Sequence, residues 1–385
     1  MSATSAGRTG AAIIAAAALS LVYLFVTVAV PPAATRVRAE MVEAARLMAA
    51  AESAIKSCRE SRNVPIDPIA DPNGTGLIGV EQSVITTSTG RLEAKRTTTN
   101  AAFAGLLVSL LDEAGVRRGD VVAVGASSSF PALIVATLAA VKALGAEALV
   151  ISSLGASEWG ANVPSFTWMD MEDCLRAKGL FPCGPIARAV GGDEDVGRDM
   201  APEGRALLTA RIRAAGGPFL EEPGLERNVG ERMALYRERA GRRPIKAFIN
   251  VGGSWANMGT DPDVLKLEPG LARGVLLPPP ARRGVIQAMA VAGVAVIHLL
   301  NVRGLCERYG LPWDPRPLPE PGEGPFYRRA GRASGTVVLI TAAYLVLVGA
   351  LLAAGRRRFP RLDRAARRND NRPAKDVFSP RLHFS

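Results

Sequence analysis

The chain has few of the side chains on which many metal and hydrolytic sites depend. Only two histidines occur in 385 residues, and the four cysteines, Cys58, Cys174, Cys183 and Cys306, form no Cys-x-x-Cys pair. Structural zinc sites need such ligands in close pairs, so zinc is poorly supported and no metal ligand is assigned. Gly252 and Gly253 lack a following Walker lysine pattern, which leaves them a weak phosphate-loop signal. Gly125-Ala-Ser-Ser-Ser lacks the second glycine of a Gly-x-Ser-x-Gly nucleophile elbow.

Basic charge is also scarce where a nucleic-acid reader would concentrate it. Of a net +11, the tail 355–385 supplies +7 and Arg8 supplies +1, leaving +3 for everything between. Nucleic acid is therefore not an expected partner. The tail reads as a topology signal with attraction to anionic lipid headgroups.

Charge is missing altogether from 11–30 and from 336–354. Each run is long enough to cross a hydrocarbon core of roughly 30 Å, so two transmembrane helices are expected, with a membrane as partner. A cleaved signal peptide is the alternative for the first run, although its apolar part is longer than such peptides use. The basic tail places the C-terminus in the cytoplasm, and two spans put the N-terminus on the same side. The expected organisation is a short cytoplasmic N-terminus (1–10), a span (11–30), a helical stalk (31–62), an extracytoplasmic domain (63–330), a second span (336–354) and a cytoplasmic tail (355–385). Outside the cytoplasm Cys174 and Cys183 can close a short disulfide loop, two buried thiols being the plainer reading.

Within the domain, apolar runs at 121–126, 148–153, 185–190, 245–251 and 294–298 read as buried strands. Helices are expected at about 97–114, 131–145, 202–215 and 225–240, after Thr167 and from about 284. This alternation implies an α/β fold with a mostly parallel sheet and flanking helices of Rossmann-like type. Ligands of such sheets bind beyond the C-terminal strand ends. Ser127, Ser128, Ser129, Ser152, Ser153, Asp193, Asp195, Asn250, Gly252, Gly253, His298 and Asn301 all follow a strand run closely.

The first of these strands is followed by a serine turn and by Pro131 in the first turn of the next helix, an arrangement that offers N–H groups and hydroxyls to an anion. Three readings of the serines stand together: helix caps, a carboxylate or phosphate site, or a nucleophile. For the last, Ser128 with His298 as base and Asp193 behind it makes a Ser-His-Asp arrangement. His298 equally reads as a hydrogen-bonded structural histidine. Asp193-Glu-Asp reads as solvated turn acids or as a cation site. The loop from Gly155 carries Ser157, Trp159, Asn162, Thr167 and Asp170, polar and aromatic groups that are costly unless they bind a ligand or one another.

Ser-Phe-Pro-Ala-Leu at 129–133, Ile-Ser-Ser-Leu-Gly-Ala-Ser-Glu-Trp-Gly-Ala-Asn at 151–162 and Phe-Thr-Trp-Met-Asp-Met-Glu at 166–172 resemble the poly-γ-glutamate system protein family. Gly191-Gly-Asp with Gly197-Arg, Asn250-Val-Gly-Gly and Ile297-His-Leu-Leu-Asn-Val add to the resemblance in the same order. It implies an envelope protein working with the machinery that makes and exports poly-γ-glutamate, with the polymer or the synthase and exporter subunits as partners. It supplies no catalytic residues and points to no particular cofactor.

Three functions follow as expectations. In an accessory binding protein, strand-end serines and helix N-termini receive carboxylates while Asn162, Asn250 and Asn301 read amides. The alternative is a hydrolase or transferase acting on γ-glutamyl amide bonds through a serine. A purely structural scaffold is the third.

Overall fold

The computed structural model describes residues 3–29, 36–181, 184–324, 326–329 and 335–356. The five apolar runs become β1 (Val121–Ser127), β2 (Glu147–Ser153), β5 (Ala187–Ala189), β7 (Ile245–Val251) and β9 (Ala295–Leu299), and short strands not expected from sequence add β3 (Asn162–Val163), β4 (Phe166–Thr167), β6 (Phe219–Leu220) and β8 (Gly270–Leu271). Seven of them form one sheet in the order β6-β5-β2-β1-β7-β9-β8, parallel except for β8. The short β3–β4 pair stands apart as an antiparallel hairpin.

Every residue of β1 is buried, as expected of a strand covered on both faces. Alternation divides its side chains between two cores. Val122, Val124 and Ala126 enter one core with helices Ala102–Glu113 and Pro131–Ala143, whereas Val121 and Ala123 enter the other with helices Leu225–Ala240 and Val285–Val291. The result is a layer of strands between two layers of helices.

Chain direction fixes where a ligand can enter. From β1 the chain builds outward through β2, β5 and β6, then returns to place β7 on the other side of β1. The C-terminal ends of β1 and β7 therefore flank a topological switch point, where diverging loops leave a crevice.

Several expectations are corrected. The Arg38–Ser61 helix is not a free stalk, because Met41, Ala44, Ala45, Met48, Ala51 and Ile55 are fully buried in the first core. Their spacing is that of an apolar helix face, and burying each Met or Ile is worth about 1.5–3 kcal/mol. The compact unit accordingly runs from Ala34 to Ala330, starting well before residue 63. The helix expected at 97–114 is two, Leu92–Thr98 and Ala102–Glu113, so Thr97 and Thr98 close one helix rather than capping the next. The segment between β7 and β9 contains β8, which pairs antiparallel with β9.

Cys174 bonds to Cys58 across a sequence separation of 116, joining the Arg38–Ser61 helix to helix Trp168–Ala177. The sequence leaves Cys174 either bridged to Cys183 or as a buried thiol, and neither reading has it bonded to Cys58; Cys183 lies outside the described residues. A free thiol at Cys306 is buried.

The other compact unit comprises helices Ala3–Ala29 and Gly335–Arg356. Tyr23 stacks on Tyr344 with ring centroids 4.3 Å apart, while Ser20 Oγ meets Tyr344 O–H at 2.9 Å. Among the described residues, no helix is long and apolar enough to cross a membrane. The tail beyond Arg356, which carries the topology signal, lies outside the described residues.

Candidate functional site

A cleft of about 900 Å³ opens at the switch point, between the loops that follow β1, β2, β7 and β9. Its floor is built by the serine turn. Ser127 Oγ donates to Ser129 Oγ at 3.1 Å, and the Ser157 backbone N–H donates to the same Ser129 oxygen at 3.0 Å. The 155–161 loop thus lies directly on the turn after β1. Gly160 permits this approach, since a Cβ there would meet the Ser129 Cα at 2.9 Å and the Ser128 carbonyl oxygen at 3.0 Å.

Lys95 ties these two segments together from helix Leu92–Thr98. Its Nζ donates to the Ser129 carbonyl at 2.5 Å and to Ser157 Oγ at 2.7 Å, and it sits 3.8 Å from the centre of the Phe130 ring. The side chain borders the cleft yet is only 3% exposed. Burial draws its amine down to about 7, with Glu158 opposing the shift. Its helix is held by Arg96, whose guanidinium forks onto both Asp314 oxygens at 2.8 and 2.7 Å.

Of the residues expected from sequence, Ser127, Ser129, Ser153, Ser157, Asp193, Gly253 and Asn301 border this cleft. Asn301 also caps helix Val302–Tyr309, accepting from the Gly304 N–H at 2.9 Å. Gly252 shapes the turn after β7 at φ +78°, where a Cβ would come within 3.1 Å of the Ser127 Cβ.

The others lie elsewhere, for identifiable reasons. Ser128 points inward with its Oγ donating to the Ser153 carbonyl at 2.8 Å, which occupies the hydroxyl proton and removes it as a nucleophile. Ser152 turns to Glu172 on the sheet face. Alternation sends His298 and Asn250, paired in register, onto the second sheet face, where Asn250 Nδ2 meets His298 Nδ1 at 3.1 Å. Burial pulls the imidazole down to about 4. Neither residue borders the cleft, so Ser128, His298 and Asp193 do not assemble as a triad.

Asn162 is consumed structurally: its amide bonds the Val80 backbone in both directions and donates to Thr86 Oγ1. Thr167 and Asp170 form a capping box for helix Trp168–Ala177, and Asp170 also receives Arg62 and Arg211. Trp159 holds a left-handed turn at φ 62° and bonds Val80 through its backbone, outside the cleft. Asp195, neighbour of Asp193, is buried against Arg232 at 2.6 Å. Among the described residues, no group of three His, Cys, Asp or Glu side chains is placed to hold a metal ion.

Two residues of the cleft carry no clear sequence signal. Lys95 sits in the charged run Arg91 to Arg96, which by itself reads as a solvated helix face. Ser254 borders the cleft with a buried Oγ that has no partner among the described residues.

Fold and cleft together define an α/β protein with a mostly parallel sheet and a crevice of mixed polar and apolar lining at its switch point. No family model, curated protein or solved structure matches the chain.

Proposed function

We propose that the chain is a membrane-anchored accessory protein of poly-γ-glutamate synthesis or export, with a Rossmann-like domain outside the cytoplasm that binds the polymer in the switch-point cleft. The observation that carries this reading is the mixed character of the cleft. Arg91 and Arg303 bring cations to it, while Asp193, Asp199 and Asp261 bring acceptors. Poly-γ-glutamate repeats a free carboxylate and a secondary amide, so cations and hydroxyls receive the first and carboxylates accept from the N–H of the second. The motif resemblance across 129–302 points to the same polymer. Uncharged runs at 11–30 and 336–354 support the anchor, and the Cys58–Cys174 bond supports an oxidising compartment.

The test is titration of the full chain in detergent with fluorescent poly-γ-glutamate, using poly-α-glutamate of equal charge as control. Tighter binding of the γ-linked chain, weakened in Arg91→Ala and Arg303→Ala, is expected. Equal binding of both polymers would reduce the interaction to general polyanion attraction, and absence of binding would overturn the reading.

A further inference from the structure

The cleft holds a lysine amine in direct contact with a serine hydroxyl, a combination that simple carboxylate binding does not require. Lys95 Nζ lies 2.7 Å from Ser157 Oγ, and both side chains border the crevice. A neutral amine has two N–H groups and one lone pair. Lys95 Nζ donates to the Ser129 carbonyl at 2.5 Å and to Ser157 Oγ at 2.7 Å and faces the Phe130 ring; when the amine is neutral, the Ser157 contact is the one across which its lone pair can take the hydroxyl proton.

We propose that Ser157 and Lys95 are a nucleophile and its general base, transferring an acyl group from a γ-glutamyl amide to Ser157 and then to water. The substrate class rests on the polymer reading above; the nucleophile–base pair does not. Serine paired with lysine is an established alternative to serine paired with histidine.

In the first half, the Ser157 O–H proton passes to Lys95 Nζ as Oγ forms a bond to the amide carbonyl carbon. The C–N bond then breaks, and the departing nitrogen takes the proton from Lys95 and leaves as an amine. In the second half, water gives a proton to Lys95 as its oxygen attacks the ester carbon. The carbon–Oγ bond breaks, Ser157 Oγ regains the proton from Lys95, and the acyl group departs as a carboxylic acid. No electrons are gained or lost overall, and one water is consumed per bond cut.

A further feature fits this chemistry. Burial holds the Lys95 amine near 7, so a large share of it is unprotonated at neutral pH, as a general base requires. Ser254 Oγ, buried beside the same cleft, has no partner among the described residues.

The experiment treats the full chain in detergent with a fluorophosphonate, which captures activated serines, and in parallel with poly-γ-glutamate of defined length. Labelling at Ser157 by peptide mass spectrometry is expected, rising with pH through about 7, absent in Ser157→Ala and about 10²- to 10⁴-fold slower in Lys95→Met. The wild-type pH profile keeps the test decisive if Lys95→Met does not fold. Shortening of the polymer by wild type, lost in Ser157→Ala, supports the whole proposal. No label on Ser157, or a labelling rate indifferent to pH, overturns the pair. A labelled Ser157 beside polymer that is bound but uncut overturns the substrate class and leaves the binding function standing; polymer neither bound nor cut overturns both.

Discussion

Replacing Cys58 and Cys174 together by alanine removes a covalent link between the first helix of the compact unit and helix Trp168–Ala177. The bond spans a sequence separation of 116 residues. On the chain-entropy account, closing a loop of that length removes about 16 cal/mol/K from the denatured ensemble, or about 4.9 kcal/mol at 25 °C. For a folded unit of roughly 300 residues losing about 2.1 cal/mol/K per residue, the variant should melt about 8 °C lower. Thermal unfolding of the full chain in detergent, with and without reductant, measures the shift; reduced wild type should approach the variant. Maleimide labelling of the unreduced, denatured protein gives a second readout, in which Cys58 and Cys174 should stay unlabelled and Cys306 should react. A fall in Tm of under 2 °C, or free thiols at both positions, would refute the bond and with it an argument for the oxidising compartment.

Arg232→Met should cost about 3–5 kcal/mol in denaturant unfolding, because Asp195 would be left as a buried charge without its 2.6 Å partner. A loss below 1 kcal/mol would refute the stabilising role of this buried pair. Burial lowers the His298 imidazole from an ordinary 6.5 to about 4. The unfolded chain therefore binds the extra proton first, and stability contributed by neutral His298 is complete above pH 6.5 and declines by roughly 3 kcal/mol as pH falls to 4. Urea unfolding of wild type and His298→Asn between these limits should show their stability difference changing with pH, and a constant difference would refute the assignment. Gly252→Ala forces a side chain onto φ +78° and toward Ser127, so it should lose more than about 1 kcal/mol and weaken polymer binding; unchanged binding would move the ligand away from the turn after β7.

The parallel sheet is legible because its strands are buried on both faces and appear as unbroken apolar runs. The crevice follows from the same runs, since the residues just beyond them converge on one edge of the sheet. Side-chain direction is less legible: Ser127 and Ser129 reach the cleft whereas Ser128 between them turns inward to the Ser153 carbonyl. His298 looks like a strand-end residue by position, but alternation commits it to a sheet face. The Arg38–Ser61 helix hides its role in alanine-rich composition, although Met41, Ala44, Ala45, Met48 and Ile55 trace a buried stripe. Contacts between distant segments have no local signature. Cys58 finds Cys174 rather than the nearer Cys183, and Lys95 is buried only because the 155–161 loop folds over it.

That burial carries an energetic argument about Lys95. A lysine held near 7 in the fold and near 10.5 when unfolded binds its proton more weakly in the native state, so native stability rises with pH between these values. At neutral pH the amine therefore costs the fold on the order of 4–5 kcal/mol relative to high pH. An apolar side chain of similar length would fill the space without that cost, but would give up the hydrogen bonds to the Ser129 carbonyl and Ser157 Oγ. The penalty accompanies an amine held 2.7 Å from a hydroxyl at the mouth of a cleft. Perturbed groups collect where chemistry is done, because the environment that shifts their protonation also makes them useful. A lysine serving only as a strut between two loops would be stabilised by staying charged and facing a carboxylate, as Arg96 does with Asp314 one residue along the same helix.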